Sequence, residues 1–132
     1  MNSNSKYPIP IGELAKQLSI TTRTIRYYEE IGLMPEPQRM DSGVRVYGRE
    51  EVLRLKFILK LKELGITLHE MHELAEIYRS EQSPEKVMPR LVQILDTHIA
   101  QIDGKLSRIA QLRADLATYR HRVAELGLTE NP

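Results

Sequence analysis

Two guanidiniums, a hydroxyl and a phenol fall on one side of a helical repeat between Thr21 and Leu33, and that residue set suits a surface of phosphates and base edges. With Thr21 as the cap, Ile25, Tyr28 and Ile31 take one side of the helix. Thr22, Arg23, Arg26, Tyr27 and Glu30 take the other. Arginine forks onto phosphate or guanine, and short hydroxyls reach the nucleic-acid backbone. A merely solvated helix face would have a similar composition, so the flanking sequence has to decide.

Other candidate chemistry is thin. His69 and His72 lie one turn apart beside Glu70 and Glu73, but the H-E-x-x-H spacing of a zinc site is absent, and surface imidazoles are the better reading. His98 lies next to Ile99 in a long apolar seam, where a polar residue sets register more readily than it binds a ligand. No glycine-rich phosphate loop, nucleophile elbow or paired-carboxylate spacing stands out, so an enzyme has no site to attach to. Neither a cofactor nor a metal is expected. The chain has no cysteine, which excludes disulfides, thiolate metal sites, iron–sulfur clusters and a thiol nucleophile.

The elements that would position the basic face follow from periodicity. Of 132 residues, 41% are apolar and 28% charged, which fits one or two compact units with an aliphatic core. The net charge of +1 conceals an asymmetry: Lys16 to Lys62 holds ten Lys and Arg against six Asp and Glu, whereas Glu81 to Pro132 holds seven of each. Residues 1–8 read as a disordered leader with no signal or membrane segment, and a cytoplasmic location is expected. Pro8 and Pro10 then bracket a short extended lead-in. Ile11, Leu14, Ala15 and Leu18 form a short amphipathic helix ending before Ser19, and with the Thr21 helix they make a helix-turn-helix. Gly32 stops that helix. Pro35 to Gly48 reads as a small hairpin, or wing, turning at Asp41-Ser42-Gly43. In it Val44 and Val46 point one way, and Arg45 and Tyr47 point the other, toward a sugar–phosphate strand.

Arg49 to Leu64 is expected to be helical. Val52, Leu55, Ile58 or Leu59, and Leu61 or Leu64 are buried, and Arg54, Lys56, Lys60 and Lys62 lie on the other side. Gly65 closes it, and Thr67 with Glu70 is a capping-box pair opening a helix through Tyr78. After the polar break Ser80 to Pro84, apolar residues recur every three or four positions: Leu91, Leu95, Ile99, Ile102, Leu106, Ile109, Leu112, Leu116, Tyr119, Val123 and Leu126. Roughly 40 residues at 1.5 Å each make a rod near 60 Å, whose seam needs a second such helix, most simply its own twin. Leu95, Ile99, Ile102, Leu106, Ile109, Leu112 and Leu116 are the expected dimerisation residues. His98, Gly104 and Lys105 interrupt the seam, which suits an antiparallel crossing.

Ile11-Gly12-Glu13-Leu14-Ala15, Thr24-Ile25-Arg26-Tyr27-Tyr28-Glu29, Gly32-Leu33, Arg45-Val46-Tyr47 and Leu64-Gly65-Ile66-Thr67-Leu68-His69-Glu70, followed by the long helix, together resemble the MerR family of bacterial transcription regulators. The resemblance is specific over the first 75 residues and architectural over the last 45. It implies a mainly α chain: a winged helix-turn-helix DNA-binding domain with connector helices over 9–80, and an antiparallel coiled-coil dimerisation helix over 84–127. Residues 128–132 would be a tail. It implies a homodimer on a near-palindromic operator in double-stranded promoter DNA. Promoters of such regulators have a spacer too long for RNA polymerase to engage both recognition elements. The regulator corrects this by bending and untwisting the DNA, and so acts on the polymerase indirectly.

Carried over residue by residue, the resemblance makes Thr22, Arg23, Arg26 and Tyr27 groove or phosphate contacts, Arg45 and Tyr47 wing contacts, and Lys62 a backbone grip. Tyr28 would be shared between packing and DNA. The family's metal and redox sensors use cysteines, which this chain lacks, and with six residues after Leu126 no separate drug-binding domain is expected. The implied trigger is a small organic effector, for example an acyl-thioester. It would sit between the connector helix and the partner's long helix, with Leu74, Ile77, Tyr78 and Met88 lining the slot. Short members governing branched-chain amino-acid or fatty-acid breakdown are the nearest branch in pattern. Two alternatives stand beside this reading: an excisionase-like architectural protein, against which the long helix argues, and a plain repressor without a ligand switch.

Overall fold

The computed structural model describes residues 6–130, with side chains over 6–127. Of the leader expected over residues 1–8, residues 1–5 lie outside the described part, as do the side chains of the expected tail, 128–132. The chain divides into two compact units, Met1–Ile94 and Leu95–Pro132.

The first unit opens with strand β1, Ile9–Pro10, where proline holds the backbone extended just before helix α1, Ile11–Leu18. Leu14 and Ala15 are its buried pair, and Ser19 ends it in the left-handed region at φ 58°. Helix α2, Thr22–Glu30, starts at Thr21, whose hydroxyl accepts from the Thr24 N–H at 3.1 Å. It ends at Gly32, where φ is +87° and the Leu33 N–H bonds the Tyr28 carbonyl at 3.0 Å. A β-carbon at Gly32 would meet only the tip of the exposed Arg79 side chain, which can move aside, so it is the backbone conformation that favours glycine there.

The expected wing is present as β2, Gln38–Arg39, and β3, Arg45–Tyr47, paired antiparallel with Arg39 opposite Arg45. Gly43, at φ +91°, bonds back to Met40 at 2.8 Å and closes the turn. The lead-in strand β1 pairs with the other edge of β3, Ile9 opposite Tyr47, which makes a three-stranded sheet in the order β1-β3-β2.

Helix α3, Arg49–Glu63, begins with the Gly48 N–H held by Glu51 Oε1 at 2.8 Å. It buries Val52, Leu55, Ile58 and Leu61, while Leu59 is half-buried and Leu64 lies exposed. Leu53 and Phe57, one turn apart, are also exposed, a second apolar stripe that the four-position core pattern does not use. Helix α4, Leu68–Glu81, carries the capping box as expected: Glu70 N–H to Thr67 Oγ1 at 3.1 Å, and Thr67 N–H to Glu70 Oε1 at 2.9 Å. It runs three residues beyond Tyr78 before Gln82 turns left-handed at φ 54°. Helix α5, Pro84–Glu130, follows at once, and Pro89 near its start removes one N–H from the ladder. Its first turns complete the core of this unit, with Leu91 and Ile94 buried.

The second unit is the remainder of α5. Within it Ile99, Ile102, Leu106, Ile109, Leu112, Leu116, Tyr119, Val123 and Leu126 are all more than half exposed, and Leu95 is half-buried.

Candidate nucleic-acid interface

Helix α2 turns Ile25 and Tyr28 into the core and leaves Arg23, Arg26 and Tyr27 exposed, with Thr22 half-buried on the same side. Arg26 Nη2 lies 3.5 Å from the Thr22 hydroxyl, at the limit of a hydrogen bond, so its guanidinium remains available to a phosphate or a base. Tyr27 and Tyr28 rings lie 6.1 Å apart at 52°. An open cleft of about 360 Å³ runs beside them, lined by Thr21, Arg23, Thr24, Tyr27 and Tyr28 from the α2 end and by Lys62, Ile66, Leu68 and Met71 from α3 and α4. Lys62, 39 positions past Arg23 in the chain, thus shares one cleft with Arg23 and Tyr27, whereas Thr22 and Arg26 are not in its lining. Tyr28 is 3% exposed; burial, and secondarily Tyr27, holds its phenol above the ordinary tyrosine value, so it stays protonated at the cleft floor.

The wing departs from the expected arrangement. Tyr47 is 1% exposed, and its hydroxyl donates to Glu29 Oε2 from inside the fold. Arg45 Nε donates to the other oxygen of the same carboxylate at 3.1 Å. The expected placement of the Tyr47 phenol on a sugar–phosphate strand is therefore corrected. The two side chains do share a face of β3, but that face is turned toward α2, whose Glu29 takes both of them. Arg45, 26% exposed at its side chain, keeps only part of its guanidinium for solvent or DNA. Burial, then the Glu29 contact, pushes the Tyr47 phenol far above its usual value. Val46 is buried on the opposite face while Val44, at the turn, is exposed.

Glu29 is thus the joint between reading helix and wing, with 6% side-chain exposure, and no role had been expected of it. No local signal could have found it, since its partners lie 16 and 18 residues later. Arg39 on β2, to which the sequence pattern assigns no role, is an exposed wing arginine whose Nη1 braces the turn through the Gly43 carbonyl at 2.9 Å. Arg54, expected on the solvated side of α3, instead donates through Nε to the Leu33 carbonyl at 2.8 Å, and its guanidinium stacks 4.3 Å from the Tyr78 ring centre. Glu73 and Arg90 form a forked ion pair from α4 to α5. The Arg90 hydrogen bonds hold the Glu73 carboxyl below the usual carboxylate value, and Glu73 raises Arg90 in turn.

A second cavity, about 380 Å³ and as open as the first, lies between α3, α4 and the first turns of α5. Leu74, Tyr78 and Met88 line it, as do Leu53, Phe57, Val87 and Leu91. Ile77 does not: one position before Tyr78, it is rotated about 100° around α4 and belongs to another face. Among the described residues no cluster of three His, Cys, Asp or Glu could hold a metal, and no helix is long and apolar enough to cross a membrane.

Comparison with known proteins agrees with this geometry. The profile described as "MerR HTH family regulatory protein" matches residues 9–76, and that described as "MerR, DNA binding" matches residues 52–119. The chain is 36% identical to the HTH-type transcriptional regulator ZntR homolog of Haemophilus influenzae, over 85% of this chain and 81% of that protein. It is 37% identical to the mercuric resistance operon regulatory protein of Bacillus cereus, over 80% of each. Among solved structures, HiNmlR, a MerR family regulator lacking the sensor domain and bound to promoter DNA, has the same fold. Its TM-score is 0.62 at 22% identity, covering 89% of this chain and 94% of that one. With a basic helix-turn-helix face, a braced wing and matches to both family profiles, the chain belongs to the MerR family of DNA-binding, helix-turn-helix transcription regulators.

Proposed function

We propose that the chain works as a homodimer on a near-palindromic promoter operator, where it bends and untwists the DNA in response to a small organic effector. Thr22, Arg23, Arg26 and Tyr27 read the groove and its flanking phosphates, Lys62 grips the backbone beside them, and Arg45 supports the wing's approach. Tyr28 forms the floor beneath these contacts. RNA polymerase feels the protein only through the reshaped promoter, and the chain acts in the cytoplasm, where the DNA is.

The observation that carries the reading is the α5 seam. Nine large apolar residues from Ile99 to Leu126, each more than half exposed, follow one another at three- and four-residue spacing. A stripe of that length is stable in water only against a matching one. An antiparallel twin offers the same residues in reverse order and so gives the two-fold symmetry that a palindrome needs. The effector is assigned to the cavity of α3, α4 and early α5, where Leu74, Tyr78 and Met88 meet.

A hydroxyl-radical and permanganate footprint of promoter DNA, with and without cell-extract metabolites, tests the mechanism. Untwisting predicts hyper-reactive bases at the operator centre while the protected borders stay in place. Loss of protection on adding effector would make the protein a plain repressor.

A further inference from the structure

The cavity between α3, α4 and early α5 carries a charge pattern that narrows its ligand. Thirteen residues line it; twelve of them are apolar, aromatic or proline, none is acidic, and Arg54 is the single ionisable cation. The mouth is greasy as well, since Leu53, Phe57 and Met88 are 51%, 45% and 41% exposed. Arg45, Arg79 and Arg90 of the same unit each pair with a glutamate. Arg54 is half-buried, yet among the described residues no carboxylate meets it. Its Nε is spent on the Leu33 carbonyl and its plane on the Tyr78 ring, which fixes the fork and leaves the two terminal nitrogens to donate.

We infer that this cavity binds an apolar carboxylate, a hydrocarbon or ring body with one anionic head, whose head is taken by Arg54. The inference rests on the effector reading above and gives that effector its chemical class. A slot near 380 Å³ is of the size that holds small organic ligands, and its lining rewards burial of hydrocarbon. A cationic amphiphile would set a second positive charge against Arg54, and a neutral one would leave the fork unanswered. Regulation follows from the same side chain. Arg54 holds the carbonyl of Leu33, three residues past the end of α2, so a carboxylate that draws on the fork is sensed at the base of the reading helix.

The test is an NMR titration of the full-length, isotope-labelled protein with octanoate, octanol and octyltrimethylammonium. Octanoate is expected to saturate at one per chain, at least about tenfold tighter than octanol, as one charge-assisted hydrogen bond implies. It should shift Leu53, Phe57 and Met88 signals together with the Met34 amide, which follows the Leu33 carbonyl. Arg54→Gln should bring octanoate down to the octanol level and leave octanol unchanged. Should that variant fail to fold, Met88→Lys and Met88→Glu remove the same apolar side chain at the mouth with opposite charges. Octanoate should then prefer the Lys variant by more than tenfold while octanol treats both alike. Equal binding of octanoate and octanol to the wild type, or equal octanoate binding to the Met88 pair, overturns the anion assignment and leaves the slot standing. If none of the three amphiphiles saturates the slot, the effector reading falls with it.

Discussion

Replacing Tyr47 with Phe separates a structural wing tyrosine from a DNA-contacting one. The hydroxyl is buried and donates to Glu29, whose side chain is 6% exposed and holds Arg45 through its other oxygen. Phenylalanine keeps the ring packing and removes one hydrogen bond to a charged, nearly dry acceptor. Such a bond contributes about 1.5–3 kcal/mol net, so a loss of about 2 kcal/mol is expected. For a unit of this size that corresponds to a fall in Tm of about 10 °C. Urea unfolding at fixed chain concentration reads the stability, and operator titrations at a temperature where both forms are folded read the DNA. Glu29→Gln and the double variant complete a cycle, in which the Tyr47 and Glu29 effects should be strongly non-additive. Stability should drop while affinity and its salt dependence stay as in the wild type. A Tyr47→Phe protein of unchanged stability that binds DNA several-fold more weakly would refute the burial argument and return the phenol to the sugar–phosphate strand.

Three further outcomes follow. Ile102→Asp with Ile109→Asp places charges in the proposed dimer seam, so sedimentation at micromolar concentration should find monomers that no longer hold an operator; an intact dimer would move the interface elsewhere. Lys62→Ala should weaken binding to every sequence alike and flatten the slope of log affinity against log salt by about one, the signature of one lost phosphate contact; sequence-selective loss would make it a base reader. The Glu73 carboxyl lies below its ordinary value of 4.5 because Arg90 bonds its charged form, so the pair stabilises the fold above that pH and the contribution is lost as pH falls below it. Glu73→Gln should therefore be the less stable protein at pH 7, and the gap in urea midpoint should close in acid; a gap independent of pH would deny the ion pair its role.

Local rules were legible in the sequence wherever one residue pair decides the structure. Thr21 and Thr67 as caps, Gly32 and Gly65 as helix stops, and the hairpin over Asp41-Ser42-Gly43 each depend on neighbours within five positions, and each stands where its chemistry puts it. The core side of α3 followed from its period for the same reason. What could not be read were pairings across long stretches of chain. Nothing in Arg45-Val46-Tyr47 announces that the strand is central, because its second neighbour is the two-residue β1 near the start of the unit. Strand alternation correctly puts Arg45 and Tyr47 on one face; only the fold says that α2 covers it. Arg54 misled for a similar reason: an arginine on a basic helix side looks solvated until the carbonyl of Leu33 arrives from 21 residues away. The α2 face itself was legible because helical period and residue type agree there without help from tertiary contacts.

The central claim is that the exposed face of α2 reads the operator, and a competition titration tests it most directly. A duplex selected by the wild-type protein from a random pool is compared with scrambled DNA of equal length, for wild type, Arg23→Ala and Arg26→Ala. Each lost guanidinium that reads a base should reduce the ratio of specific to scrambled affinity by roughly five- to 150-fold, the equivalent of about 1–3 kcal/mol of discrimination. A ratio equal to that of the wild type in both variants, with binding to the two duplexes lowered alike, would contradict the claim and leave α2 as a phosphate clamp with the reading done elsewhere.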